Sequence, residues 1–491
     1  MAVTVEGTWL NTTPEPPPPD GPPDEPSGRP ASRLERLRVP MPADSLASWL
    51  ITFAVTLIAA LIRFWGVGFP NEKVFDETYY ATEAGEILRQ GYESNIGYMF
   101  IVHPPLGKWL IAGGIKVFGD STVGWRVPAA LAGTLTVLLL VRIVRRMTRS
   151  TLLGAVAGLL LALDGLSVVL SRFALLDIFI ALFVIAGFGC LVVDRDKVRE
   201  RLARAVEAGM AAAAVPPAEA AAGTDGIASA DRSGADGATH GGIGRVSVWR
   251  APGLGSRPWR LAGGVLLGLS CAVKWSGIWF LLGFALLSLI WDYNARRSAR
   301  LGRPLAVSAV RDLPGAALTL GVAPVAAYLL AWSGWFLGEN SYGRHWADTH
   351  DEYWSWLPGP VRSLIHYHWE MWHFHKGLES PHPYQSTPWS WLVTGRPVLF
   401  YYPTKPAPTG CGSPSCVRSV LAVGTPALWW AFVPAVLWCG WLVLSRRDWR
   451  ATVVLVAFAA GWLSWFLEPG RTMFIFYMAP LVPFLALGVT L

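Results

Sequence analysis

Leu166–Val193 reads LSVVLSRFALLDIFIALFVIAGFGCLVV, 28 residues in which only Arg172 and Asp177 carry charge. A helix needs roughly 20 apolar residues to cross a hydrocarbon layer of about 30 Å, so this stretch is long enough to span a membrane. An ionised side chain at that depth is costly and normally faces a partner or a polar cavity. These two properties organise the rest of the chain. Similar apolar blocks recur at Ala47–Gly66, Gly124–Val144, Leu152–Leu163, Leu261–Lys274 and Gly277–Trp291. Leu313–Leu337, Ala427–Leu444, Val453–Leu467 and Thr472–Leu491 follow, making ten in all. Of the 491 residues, 53% are hydrophobic and 15% charged, with a mean hydropathy of +0.38. A soluble chain carries about a quarter charged residues. Folding in water would leave several of these blocks exposed, so the expected fold is an all-α polytopic membrane protein.

The net charge of +7 is distributed as a topology signal rather than as a nucleic-acid-binding surface. Arg142, Arg145, Arg146 and Arg149 follow the second block, Arg296, Arg297, Arg300 and Arg303 the sixth, and Arg446, Arg447 and Arg450 the eighth. These are the even-numbered exits, as expected when the N-terminus is cytoplasmic and basic loops stay inside. The segment after the first block is instead acidic, with Glu72, Asp76, Glu77, Glu83, Glu86 and Glu93.

Residues 1–46 are expected to be a disordered cytoplasmic tail, because their Pro- and acid-rich opening cannot bury enough apolar area to fold. The first block is long enough to remain as a span rather than act as a removable signal peptide. Residues 47–293 form the first membrane region, interrupted by a Gly/Ala-rich stretch, 194–258, expected to be a flexible cytoplasmic insert. Residues 294–491 form the second, with a loop at 338–426 crowded with Trp, His, Tyr and Pro. Its tryptophans fit an interfacial belt, so amphipathic helices lying along the membrane surface are expected there. Of the five cysteines, Cys190, Cys271 and Cys439 fall in apolar blocks. Cys411 and Cys416 fall in the external loop, where their spacing permits a local disulfide.

The leading chemical candidate is Asp76-Glu77, just beyond the first block. Adjacent carboxylates on a helix point about 100° apart, so they cannot aim at one atom. One can serve as base while the other orients a loop; equally, both can be an acidic pair favoured by a helix N-terminus. Four cations are expected at the same membrane face: Arg63, Arg172, Lys274 and Arg471. With Asp76 they would suit a lipid phosphate beside a carboxylate base, although basic residues at span ends also snorkel to headgroups. His103, stiffened by Pro104 and Pro105, is a candidate hydrogen-bonding group. The histidines His366, His368, His373, His375 and His382 suggest a metal by density. However, helical residues two apart face nearly opposite ways, and interleaved Tyr367, Trp369, Trp372 and Phe374 read as an interfacial helix instead.

At these residues the chain resembles the dolichyl/polyprenyl-phosphate-mannose protein O-mannosyltransferases, glycosyltransferase family 39, with the GT-C fold. The matching pieces are Arg63-Phe64, Phe75-Asp76-Glu77, His103-Pro104-Pro105-Leu106-Gly107-Lys108, Ser171 to Asp177, Val273-Lys274-Trp275-Ser276-Gly277 and Arg471 to Tyr477. They occur in the family's order, and the aromatic loop with His382-Pro383-Tyr384 and Pro388-Trp389-Ser390-Trp391 looks most like actinobacterial members. Two departures stand out. The external loop is too short and too aromatic for the β-trefoil module of the eukaryotic enzymes. The family usually has about eleven spans, where ten blocks are visible.

The resemblance implies mannose transfer from a polyprenyl-phosphate-mannose donor to a Ser or Thr hydroxyl of a polypeptide, at the extracytoplasmic face of the cell membrane. The secretion machinery would be a natural partner. Asp76 would be the base, grouped with Glu77 as catalytic, and Glu77 would hold the loop or bind the acceptor. Arg63, Arg172 and Arg471, with Lys274, would stabilise the departing phosphate. His103, Lys108 and Asp177 would bind substrate or support the site. A phosphate leaves as a stable anion, so no cofactor is required, and the chemistry leaves room for a divalent ion. Within the same class the acceptor could instead be a lipid or cell-wall glycan and the sugar an arabinose. From another class, a transporter or flippase also places charges in spans, but such proteins commonly show inverted repeats, and none is visible here.

Overall fold

The computed structural model describes residues 33–38, 41, 43–94, 102–214, 251–299, 302–350, 354–403 and 416–491. Ten helices run through the first membrane region: α1 Arg33–Leu37, α2 Leu46–Phe64, α3 Glu77–Gln90, α4 Leu106–Phe118, α5 Thr122–Thr148, α6 Thr151–Ala162, α7 Gly165–Leu170, α8 Asp177–Ala214, α9 Pro258–Val273 and α10 Gly277–Ser298. Beyond them lie the long helix at Pro304–Ala331, then helices Gly359–Lys376, Pro426–Arg446, Trp449–Gly461 and Val482–Thr490. Among the described residues seven helices are long and apolar enough to cross a membrane, and α6 and α9 are shorter apolar helices. The last block forms a 3-10 turn at Ile475–Met478 and then Val482–Thr490. Phe484 of that helix packs on Phe188 of α8 and Phe284 of α10 in the main core.

Helix contacts inside the bundle depend on small residues. A Cβ on Gly264 would lie 1.8 Å from the Thr319 carbonyl oxygen, and one on Gly268 would lie 2.4 Å from that of Pro324. Only glycine allows α9 this close to Pro304–Ala331, the packing used where no solvent drives helices together. Helix starts follow the expected chemistry. Ser121 and Ser150 cap α5 and α6, and Asp164 caps α7 by accepting from the Ser167 amide. Asp164 also accepts from the Thr425 amide and the Trp429 indole, tying that turn to Pro426–Arg446.

Three expectations change. The opening stretch, Leu166–Val193, is not one continuous helix: α7 ends at Leu170 and α8 begins at Asp177. Neither Pro nor Gly causes the break. Its Ala174 amide is taken by the Glu77 carboxylate, and Ser167 and Ser171 are held by Arg63. The insert expected from 194 opens as a continuation of α8 to Ala214, while residues 215–250 lie outside the described residues. Most of the tail lies outside them too, but α1 packs Leu37 with Val198 and Leu202 of α8. The expected all-α fold holds, with one small addition among the described residues. Strands β1 Val398–Tyr401 and β2 Val420–Ala422 pair antiparallel within the aromatic loop. Cys416, just ahead of β2, is disulfide-bonded, and Cys411 lies outside the described residues.

Candidate active site

The turn leading into α3 is fixed from beneath by one arginine. Arg126, fully buried in α5, donates Nε to Glu77 Oε1 at 2.8 Å and Nη2 to Oε2 at 2.7 Å. Its remaining donors reach the carbonyls of Val67, Pro70 and Glu72. Glu77 also accepts from the Val74 and Ala174 amides. A bidentate pair with every donor used is the strong form of this interaction. Glu77, grouped as catalytic and expected to hold the loop or bind the acceptor, has no exposed surface and sits where it holds the loop. Arg126 was missed in the sequence, where it reads as one more cation at a span end.

Asp76 is aimed by the residue before it. Phe75 has φ +53°, a left-handed conformation that costs a bulky residue free energy and persists only where the surroundings enforce it. Its ring stacks on Phe400 of β1 at 5.0 Å and meets His382, Phe474 and Phe476 edge-on. The Asp76 carboxylate is 3.4 Å from the Tyr80 hydroxyl. Burial raises its pKa to about 6, against the pull of the Lys274 ammonium and with a push from Asp177.

Lys274 and Asp177, whose charges act on Asp76, line a cavity of about 350 Å³ together with His103, His375, Arg471 and Tyr477, with a largely tryptophan wall of Trp275, Trp279, Trp372 and Trp465; Asp76 is not part of its lining. Asp177, the first residue of α8, pairs with Lys274 at 2.7 Å. Arg471 donates to His375 Nδ1 at 3.1 Å, and His375 Nε2 lies 2.7 Å from the Val102 carbonyl. The carbonyl can only accept and the guanidinium can only donate, so His375 is neutral with its proton on Nε2. Burial accordingly lowers its pKa to about 4, helped by Arg471. His103 stacks on His375 at 5.3 Å, and burial likewise holds its pKa well below the usual range. Ile278, Trp279 and Leu467 are exposed at the rim, giving the cavity an apolar mouth on the bundle surface.

Of the four expected phosphate-binding cations, the structure brings Lys274 and Arg471 to this cavity and takes the other two elsewhere. Arg63 is fully buried, donating to the Ala59, Leu161 and Ala162 carbonyls and to Ser167 and Ser171, so it stitches α2 to α6 and α7. Arg172 donates to the Ile62 and Gly66 carbonyls at 2.9 Å, closing the C-terminal end of α2. Lys108, expected to bind substrate or support the site, is buried between Glu83 at 2.9 Å and Glu93 at 2.8 Å. The histidines of Gly359–Lys376 diverge: His366 stacks on Trp346, His368 meets the Tyr328 hydroxyl, and His375 faces Arg471. Among the described residues no three His, Cys, Asp or Glu side chains are grouped to hold a metal.

A helical membrane bundle with buried carboxylates and two cations around an apolar-mouthed cavity is the architecture of a lipid-dependent glycosyltransferase. The chain belongs to the dolichyl-phosphate-mannose-protein mannosyltransferase family. That family's model matches residues 53–214, and the model of the C-terminal four-span region of protein O-mannosyltransferase matches residues 360–491. A polyprenol-phosphate-mannose–protein mannosyltransferase of Mycobacterium tuberculosis is 43% identical over 92% of this chain and 81% of its own. One of Corynebacterium glutamicum is 34% identical over 88% of this chain and 80% of its own. The fold is similar to the Saccharomyces cerevisiae protein O-mannosyltransferase Pmt1-Pmt2 complex bound to the sugar donor. There the TM-score is 0.65 at 16% identity, over 94% of this chain and 86% of that one.

Proposed function

We propose that this protein transfers mannose from a polyprenyl-phosphate-mannose lipid to Ser or Thr hydroxyls of polypeptides, in one inverting displacement at the extracytoplasmic face of the cell membrane. The observation that carries this reading is the convergence of Lys274 and Arg471 on one cavity, with Lys274 and Asp177 of its lining acting on the Asp76 carboxylate, in a chain 43% identical to a relative of that name. Asp76 takes the hydroxyl proton as the oxygen attacks the anomeric carbon. The bond from that carbon to the phosphate oxygen breaks with its electron pair, and the polyprenyl phosphate leaves as an anion. Arg471 and Lys274 stabilise the added charge, and the neutral His375 holds Arg471 without competing for the phosphate. The prenyl chain lies along Ile278, Trp279 and Leu467.

A groove of about 360 Å³, lined by Glu379, Ser386, Ser390, Arg396 and Thr472, shares Arg471 with the cavity and is the acceptor's approach. Acceptors would arrive unfolded from the secretion machinery. The basic turns after α5, α10 and Pro426–Arg446 support a cytoplasmic position for that end of the bundle.

The test is incubation of the purified protein with radiolabelled polyprenyl-phosphate-mannose and a Ser/Thr-rich peptide. Label in the peptide, lost in Asp76→Asn while donor binding persists, is expected. Label entering only glycolipid would defeat the protein-acceptor reading. Asp177 is the aspartate that lines the cavity itself, so Asp177→Asn is the control: a greater loss there than in Asp76→Asn would move the base to Asp177.

A further inference from the structure

The far end of the bundle holds a second and larger opening, a cleft of about 1080 Å³ that no step of the proposed transfer uses. Its walls come from four parts of the chain: the residues after α1, the α5–α6 turn, the middle of α8 and the turn at Arg446–Arg450. Eleven basic and three acidic side chains line it. Each of the three acids already has a basic partner. Asp196 is shared by Arg146 at 2.9 Å and Arg195 at 2.8 Å, Glu200 by Arg38 and Arg204 at 3.2 Å each, and Asp448 is taken by Arg450 at 2.6 Å. A large positive excess remains inside a concave site.

Position and shape separate this cleft from an ordinary basic loop. Asp177 at the catalytic cavity and Arg195 at the cleft lie on the same helix, 18 residues apart. At about 1.5 Å per residue they are roughly 27 Å apart, close to the thickness of the hydrocarbon layer. The cleft therefore lies level with the headgroups of the opposite leaflet. Snorkelling cations would fan outward into that layer, whereas these turn inward from four segments. Leu37, Met41, Met147 and Trp449 line the same cleft, so it has an apolar wall as well as a basic one. The Arg195 guanidinium lies 3.6 Å from the Trp449 ring centroid and 5.7 Å from that of Trp291, which holds its donors in one plane.

We infer that this cleft is a binding site for an anionic lipid headgroup carrying two phosphates. The charge excess calls for more than one phosphodiester, and the volume matches the upper end of small-ligand sites, about 300–1,000 Å³. The apolar wall and the level in the bilayer select a lipid over a soluble polyphosphate. Basic pockets between spans at a membrane surface recognise headgroups of this kind. The inference rests on the membrane reading of the bundle and not on mannosyl transfer.

The test uses the full-length protein in detergent, with retained lipid measured by native mass spectrometry. The probes are cardiolipin, with two phosphodiesters, phosphatidylglycerol, with one, and inorganic pyrophosphate. Cardiolipin is expected to be retained about tenfold over phosphatidylglycerol and to resist pyrophosphate. The double variant Arg446→Gln/Arg447→Gln, at the exposed rim, should lower that retention about tenfold. Arg297→Gln/Arg303→Gln, on the basic turn after α10 and outside the cleft, should change it less than about twofold. Equal losses in both pairs would reduce the effect to general basicity of that end and overturn the proposal. So would equal retention of the two lipids, or displacement of cardiolipin by pyrophosphate. Because the readout is bound lipid, an error in the catalytic reading would leave this result standing.

Discussion

The two ends of α8 handle charge in opposite ways. At the Asp177 end, the charges that organise the site are buried and individually partnered: Asp177 with Lys274, Glu77 with Arg126, and Lys108 between Glu83 and Glu93. At the Arg195 end, bases outnumber acids and face an open cleft. A buried, hydrogen-bonded pair fixes positions but projects little field, whereas an unbalanced cluster projects a field while fixing less. Chemistry needs reacting atoms held to a fraction of an ångström, so the catalytic end uses pairs. The other end relies on numbers.

Predictions that break this contrast start with the clamp. Arg126→Met leaves the Glu77 charge buried without its cation, with only the Val74 and Ala174 amides to meet it, which should cost about 3–5 kcal/mol of stability. It should also release the 67–77 turn, seen as a lower thermal unfolding midpoint and loss of transfer together. Next, Asp76→Asn should lower kcat about 10³-fold with the unfolding midpoint unchanged, in line with loss of a general base. An unfolding shift as large as that of Arg126→Met would show Asp76 to be structural. Arg471→Gln should cost about 10²-fold in transfer, as for removal of one donor to a developing anion.

The smallest effect is on pH. Burial raises the Asp76 pKa to about 6, and only its carboxylate form accepts a proton. Activity should therefore be full above that value and fall about tenfold by pH 5, whereas an ordinary exposed aspartate would hold its rate to about pH 4. A flat profile from pH 7.5 to 5 would contradict the role given to that burial.

How far the sequence foretold this site depends on which physical choice was local. The divergence of Asp76 and Glu77 follows from helix geometry, and the two residues do part, one toward Tyr80 and one toward Arg126. The fates of Arg63, Arg172, Lys274 and Arg471 were not legible. A cation at a span end can cap carbonyls, stitch helices or meet a ligand, and helix rotation decides among these. Arg63 and Arg172 took carbonyls; Lys274 and Arg471 took the cavity. The break at 171–176 was hidden because its cause, the Glu77 carboxylate accepting from Ala174, lies a hundred residues away. The β1–β2 pair was hidden because its strands are three and four residues long, too short for an alternating pattern to register.

The aromatic cage around Phe75 also sets a biosynthetic order. Phe400, Phe474 and Phe476, which hold the left-handed turn, all lie far downstream of it in the chain. A nascent polypeptide that has inserted its early spans carries the aspartate but not the buttress that points it. The turn at Asp76 is thus completed only after those later aromatic segments have been made and packed against it.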